Sequence, residues 1–470
     1  MNELLISRDK SREELSLGDV SYFPFMRFAI PISLNYTIDF LPLTLAFFIF
    51  GLKGELETQS VIGFGLTYII FTFGYSTSIP DLIGIQISAF CEQKQYKTVT
   101  DTLFRILFCV LVYIGCSLVL SFWSYSIMTG VGIDHQLAYR CSVFIKWMTV
   151  PKLIEIILFF VKSLLISQKI TDVFTYINIA TSANLVISSY IFMYKMNISE
   201  LGYFFVFLLK NLIETGFLLY FLKNRCSREY LFIPSLKDIT KGYGASFFYS
   251  VKILVGNYGE WTASEVNSYF AALSQKAMNI VAWSCAVNLI ILNFFFGCGE
   301  MAYLRTYGAI ALGMKDFKSF ISIRKKCLFY GIANHCTLGV LLIIFSNTVA
   351  KFYTSDPETH YLMTKVFQLL SVNIFMDWWM VFNSTCLRLI MLESFQFKTM
   401  AVLYPIVIVV FAYLFFFVIN WHIYGLVVSL TLSNFVVCLV MHYKYHENLQ
   451  EFFDGLEKDI IVEQITHKEN

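Results

Sequence analysis

Twelve stretches of this chain are long and apolar enough to cross a hydrocarbon core as helices, and this pattern limits the fold more than any motif. They fall at about 23–50, 61–90, 103–128, 138–166, 172–194, 201–222, 242–273, 279–312, 327–350, 361–392, 399–420 and 422–443, each at or above the ~20 residues a spanning helix needs. Hydrophobic residues make up 57% of the 470 and charged ones 14%, against roughly 25% charged in soluble domains. A soluble globular protein is excluded, and the expected fold class is an all-α polytopic membrane protein. Pro31, Pro42, Gly74, Pro80 and Pro151 interrupt several of the long runs. Bent or tilted helices are therefore expected, with their broken backbone bonds facing protein or a cavity.

The basic residues of the connecting segments set an orientation. Arg8, Lys10, Arg12, Lys94, Lys97, Lys169, Lys223, Arg225, Arg228, Lys237, Lys241, Lys315, Lys318, Arg324, Lys325, Lys326, Lys398 and Lys444 fall on one side, and only Lys53, Lys195, Lys276 and Lys351 on the other. An even number of spans then places both termini and the 223–241 linker in the cytosol. The polar first twenty residues show no cleaved signal peptide pattern, so the first span is expected to direct insertion. The triplet Asn197-Ile198-Ser199 falls on the opposite side, where it has the form of a glycan acceptor.

The halves resemble each other. Phe71-Thr72-Phe73-Gly74 and Phe294-Phe295-Phe296-Gly297 stand 223 residues apart, in the second and eighth spans. Six spans separate the copies, so they share one orientation. The organisation is then a cytosolic tail (1–22), a six-helix bundle (23–222), a cytosolic linker (223–241), a second six-helix bundle (242–445) and a cytosolic tail (446–470). Parallel repeats of this kind carry a substrate path between the halves.

Ionisable groups inside spans cost about 2.5–3.5 kcal/mol on insertion scales and mark function by default. Here they are Asp39, Asp81, Glu155, Glu214, Glu260, Glu265, Glu300 and Asp377, with Lys146, Lys152, Lys162, Lys210, Lys252, Arg305 and Arg388. Several have structural readings. Lys146 and Lys162 are placed to snorkel, Lys210 and Glu214 pair at i, i+4, and Lys152 and Glu155 pair beside Pro151. The seventh span differs: Tyr258-Gly259-Glu260-Trp261-Thr262-Ala263-Ser264-Glu265 sets two carboxyl groups five residues apart with no adjacent base. At ~100° per residue they point to different sides of the helix. Each needs its own partner or its own proton, because an unpaired buried charge is costly.

No Ser/His/Asp or metal-binding constellation converges. His135, His360 and His422 are scattered, His335 stands alone in the ninth span, and His442 and His446 lie at a helix end. The 11 cysteines form no C-x-x-C pair. An enzyme is not expected, nor a resident cofactor or metal. Without a basic patch interleaved with aromatics, nucleic acid is not an expected partner.

The residues of the seventh span resemble those of the multidrug and toxic compound extrusion (MATE) family, whose eukaryotic members carry acid-Trp with a second acid five residues after the first, as in Glu260-Trp261-Thr262-Ala263-Ser264-Glu265. Asp377, eleven residues before Arg388, matches plant-like members. Gly51-Leu52-Lys53-Gly54-Glu55-Leu56, Gln86, Leu165-Ile166-Ser167-Gln168, Asn288 and Leu312-Gly313 also match, so that the resemblance covers residues 23 to 445. It implies two parallel-repeat six-helix bundles of MATE-like form and a secondary active antiporter that exports organic cationic or neutral solutes in exchange for protons. Glu265 and Asp377 are then the proton-coupling pair, and Glu260, Trp261, Tyr258 and Asn288 line the substrate site. The coupling ion implied is H+, ahead of Na+, and the partners are a small organic solute and the bilayer of a plasma membrane, vacuole-like organelle or mitochondrion. The sequence departs from the family after the tenth span, where Arg388 is followed by Leu389-Ile390-Met391-Leu392-Glu393 without the family's turn glycines. Two alternatives fit such departures: a non-transporting MATE-like subunit held as a scaffold in a membrane complex, and a lipid-linked sugar flippase of related fold.

Overall fold

The computed structural model describes residues 21–79, 95–167, 172–225, 234–240, 242–313 and 316–469, with Ile83 and Ile87. Within these ranges the side chains at 31–32, 35–36, 39, 77–78, 166–167, 172, 174–175, 236–237, 245, 249, 252–264, 309–310, 313 and 456–469 lie outside the described residues.

The described residues form twelve long helical segments. The first six are α1 (Tyr22–Leu52), α2 (Leu56–Phe73, continued by a 3-10 stretch Gly74–Ser78), α3 (Tyr96–Phe122), α4 (His135–Ser167), α5 (Asp172–Ser188, continued in π geometry over Ser189–Lys195) and α6 (Ser199–Arg225). The second six are α7 (Tyr243–Leu273), α8 (Ala277–Gly313), α9 (Phe317–Tyr353), α10 (Pro357–Leu389), α11 (Glu393 to Val418, with π stretches Thr399–Leu403 and Leu414–Val418) and α12 (His422–Glu469). By length and composition, 8 segments among the described residues are apolar enough to cross a bilayer unaided. The chain is an all-α, multi-pass membrane fold.

The irregular stretches have local causes. Pro151 lies inside α4, where its ring removes one helical donor. Pro405 sits just past the π stretch of α11, so that the wider turn accommodates the missing N–H. After α10 the chain turns through Met391 at φ 59°, so a side chain occupies the left-handed conformation that glycine would take without strain.

Asp356 begins α10. Its carboxylate accepts the Thr359 N–H at 2.8 Å and the Thr359 hydroxyl at 2.6 Å, with Pro357 opening the helix. The Thr359 hydroxyl and then its N–H hold the Asp356 carboxyl below its ordinary value of 3.8. The cap's contribution is therefore complete above that value and is lost as pH falls through the lower folded-state one. Asp356→Ala is expected to lower stability by about 1 kcal/mol, read by thermal unfolding in detergent. Asp356→Asn should keep most of the cap and lose its acid sensitivity; an unchanged melting temperature in the alanine variant would count against the cap.

The bundles meet along two seams, each made by the opening helices of one half against those of the other. Down the first, α1 lies on α8: Phe28 packs edge-on against Tyr303 and Tyr307, the Ser33 hydroxyl donates to the Phe296 carbonyl at 3.1 Å, Phe40 meets Phe295, and Thr44 bonds Asn288. Down the second, Phe64 and Phe71 of α2 pack against Tyr269 of α7, and Tyr113 of α3 stacks on Phe247. At the end away from the termini the halves touch closely. Gln59 Nε2 bridges the carbonyls of Phe47 and Tyr353 at 2.7 and 2.8 Å, and the Ser355 N–H donates to the Gly51 carbonyl at 3.0 Å. Nearby, Lys53 donates to the Met193 carbonyl and Asn197 Oδ1, and Arg140 pairs with Glu57 and Glu200. This end of the molecule is closed.

Candidate functional site

α7 brings Glu265 to the second seam, where it is 2% exposed. The Ser268 hydroxyl, one turn on, donates to Glu265 Oε2 at 3.4 Å and in turn accepts the Trp283 indole N–H of α8 at 2.9 Å. The Thr67 hydroxyl of α2 faces the same carboxyl group from the other half. Among the described residues no basic side chain pairs with Glu265. On the next face of α7, Asn267 donates to the Leu426 carbonyl of α12, which fixes the rotation that turns Glu265 toward α2.

Asn288 of α8 sits nearer the closed end and is fully buried. It accepts the Tyr353 hydroxyl at 2.8 Å and donates to Thr44 at 3.1 Å, tying α8 to α9 and α1 at once. Asp377 of α10 is 7% exposed and lies within the second bundle, close enough to Cys438 of α12 to act on it electrostatically. One turn earlier Asn373 accepts from Asn434, which accepts the Tyr404 hydroxyl, so α10, α11 and α12 share one polar chain. Tyr258, Glu260 and Trp261 fall in α7, but their side chains lie outside the described residues. Glu265 is thus a carboxyl group at the boundary between halves, and Asp377 one inside the second bundle.

Several of the remaining charges differ from the sequence expectations. Lys162 does not snorkel: it turns inward to ion-pair with Glu214 of α6, which also receives Lys210 at 3.8 Å. Lys152 and Glu155 pair as expected, beneath the Phe207 ring. Arg324 is no loop residue; it is 7% exposed within α9 and lies over the Tyr445 ring at 4.3 Å. Nor is His335 alone. Its Nε2 faces Glu300 Oε2 of α8 at 3.2 Å, with both side chains fully buried. The sequence holds one signal for this contact, the polar pair Asn334-His335 in an apolar run, but gives no partner, because the 35 residues to Glu300 pass through a turn between helices. Among the described residues no group of three or more His, Cys, Asp or Glu could hold a metal ion.

No family model and no curated protein matches the chain. Solved structures do. The chain is similar to a multidrug resistance MATE family transporter of the MOP superfamily in an inward-facing conformation, with a TM-score of 0.77, 12% identity, and coverage of 91% of this chain and 96% of the other. A structure described as the outward-facing conformation of a multidrug resistance MATE family transporter gives 0.64 at 14% identity, covering 92% and 96%. The eukaryotic MATE transporter AtDTX14 gives 0.71 at 14% identity, covering 92% and 98%. With twelve long helices paired α1 to α8 and α2 to α7 across two seams, this chain has the fold of the MATE transporters.

Proposed function

We propose that this chain is a secondary active antiporter that exports organic cationic or neutral solutes in exchange for protons, with both termini in the cytosol. The observation that carries the reading is Glu265: a buried carboxyl group at the seam, bonded by the Ser268 hydroxyl of its own half, faced by the Thr67 hydroxyl of the other, and paired with no cation among the described residues. When the halves part, Thr67 leaves with one and Ser268 stays with the other. The carboxyl group then changes its solvation, and a proton is the simplest ligand that balances the change. Asp377 is the second coupling acid in this proposal. Proton and solute bind antagonistically at these acids, and by linkage each weakens the hold on the other.

Aromatic groups beside the acids suit an organic cation, at about 0.5–2 kcal/mol per ring. The test is uptake of a fluorescent organic cation into proteoliposomes under an imposed pH gradient, comparing the native chain with Glu265→Gln and Asp377→Asn. Gradient-driven uptake by the native protein and its loss in both variants is the expected result. Normal proton-driven exchange in Glu265→Gln would sink the assignment, and a folded native protein that moves no solute would favour a scaffold held by fixed membrane partners.

A further inference from the structure

We infer that Arg324 of α9, with the Tyr445 hydroxyl of α12, forms a binding site for a phosphate group at the end of the second bundle that bears the C-terminus. The site stands apart from Glu265 and does not rest on the exporter reading. Arg324 is 7% exposed, its Nε and Nη2 are buried without a hydrogen-bond partner, and among the described residues no carboxylate ion-pairs with it. A guanidinium cannot shed its charge as an amine does, and a buried one without an anion is costly. Nε and Nη2 share one edge of the group, where two N–H bonds run parallel; phosphates and carboxylates take that edge with two oxygens at once. The Tyr445 hydroxyl, within electrostatic reach of Arg324, is likewise buried and without a partner. Buried donors are seldom left unmet, and one oxyanion satisfies both of these.

Three helices hold the guanidinium. α9 supplies it, the Phe382 ring of α10 lies 5.6 Å away, the Tyr445 ring of α12 lies 4.3 Å away, and the Cys386 thiol of α10 reaches it. The rings meet the faces of the cation, which leaves the in-plane N–H bonds still to be met. Carboxylates on the same helices are engaged elsewhere: Glu447 takes Lys444 and Asp454 takes Gln450 on α12, and Asp316 caps α9 at the Ser319 N–H. The other ionisable neighbours are basic. His442 and His446 of α12, with ring centroids 4.5 Å apart, are both within electrostatic reach of Arg324. His446 is exposed and His442 partly so, so the flank of the site nearest the surface suits an anion.

Depth narrows the ligand. α9 has 37 residues, about 55 Å at 1.5 Å each, against about 40–45 Å for a bilayer with its headgroups. Arg324 lies about 10 Å from the start of α9 at Phe317, at the level of lipid phosphates rather than in the middle of the hydrocarbon. Charge, fork and depth together select a phosphate group, carried by an acidic lipid or taken up as a free ion.

The test is thermal unfolding of the full chain in phosphate-free detergent with inorganic phosphate, with dioleoyl phosphatidic acid, and with dioleoylglycerol, which has the same chains and no phosphate. Phosphatidic acid, inorganic phosphate or both should raise the native melting temperature by mass action, and dioleoylglycerol should not. A shift with phosphatidic acid alone assigns the lipid headgroup; a shift with inorganic phosphate assigns the free ion. Arg324→Met should abolish the shift and, without ligand, melt at or above the native temperature, because it removes a buried unpaired charge and keeps the apolar stem. Tyr445→Phe, which loses one oxygen, should need about tenfold more probe for half the shift. Lys325→Gln removes an exposed charge one residue away and should keep the shift; a loss there equal to that in Arg324→Met would show diffuse attraction and overturn the inference. So would an Arg324→Met protein that responds like the native chain, or a native chain that neither probe stabilises. If Arg324→Met does not fold, Tyr445→Phe decides, and an unchanged half-shift concentration in it overturns the site.

Discussion

Glu214→Ala is expected to destabilise the first bundle by about 3–5 kcal/mol, the cost of taking a carboxylate away from the buried charges that share it. Lys162 from α4 and Lys210 from α6 both converge on this carboxylate, and Lys210 and Glu214 are each 3% exposed at the side chain. Removing Glu214 takes from two ammonium groups the anion they share, that of Lys210 buried and that of Lys162 partly so. The measurement is thermal unfolding in detergent, with the folded fraction read by size exclusion. Replacing all three charges, as Lys162→Met, Lys210→Met and Glu214→Leu together, should recover the loss to within about 1 kcal/mol, since well-packed apolar groups often substitute for a buried ion cluster. A single variant that melts like the native chain would show that the cluster is solvated.

Gly51→Ala is expected to prise open the closed end. A Cβ there would lie 1.8 Å from the Tyr353 carbonyl oxygen and 2.7 Å from the Gln59 amide that bridges the two halves. Backbone cannot yield as a side-chain tip does, so α1 and the α9 terminus must move apart, at about 1–3 kcal/mol of overpacking. A shift of about 1.4 kcal/mol toward an open state changes its population roughly tenfold. Thr354, 2% exposed in the closed form, reports it. In a Thr354→Cys background, reaction with a bulky maleimide should speed up roughly tenfold when Gly51→Ala is added. An equal rate with an equal melting temperature would mean that the close approach does not hold the end shut.

Both positions show how unevenly the sequence speaks. Gly51 is conspicuous in the stretch Gly51-Leu52-Lys53-Gly54-Glu55-Leu56, and the structure gives each group a job: Gly51 admits Tyr353, Lys53 holds Met193 and Asn197, and Gly54 turns the chain at φ 75°. The spacing of Lys210 and Glu214 announces their pairing, because four residues make one helical turn. That Lys162 joins them is not announced, since its helix is separate and its inward turn depends on which face α6 presents. The missing turn glycines after Arg388 are plain in the sequence, whereas the use of Met391 in the left-handed conformation is seen only in the structure.

By itself the sequence determined the all-α membrane fold and the rough extent of its helices. These follow from hydrocarbon thickness and from the need to satisfy each backbone polar group within its own helix, and both are local requirements. Only the tertiary structure decided what the buried polar groups meet: Glu265 facing Thr67 across the seam, Asn288 tied to Thr44 and Tyr353, and His335 set against Glu300. The reason is geometric. A side chain 0% exposed in a bundle finds its partner through the rotation and register of two helices, and these are fixed by the packing of all their neighbours rather than by any stretch of chain short enough to read as a motif.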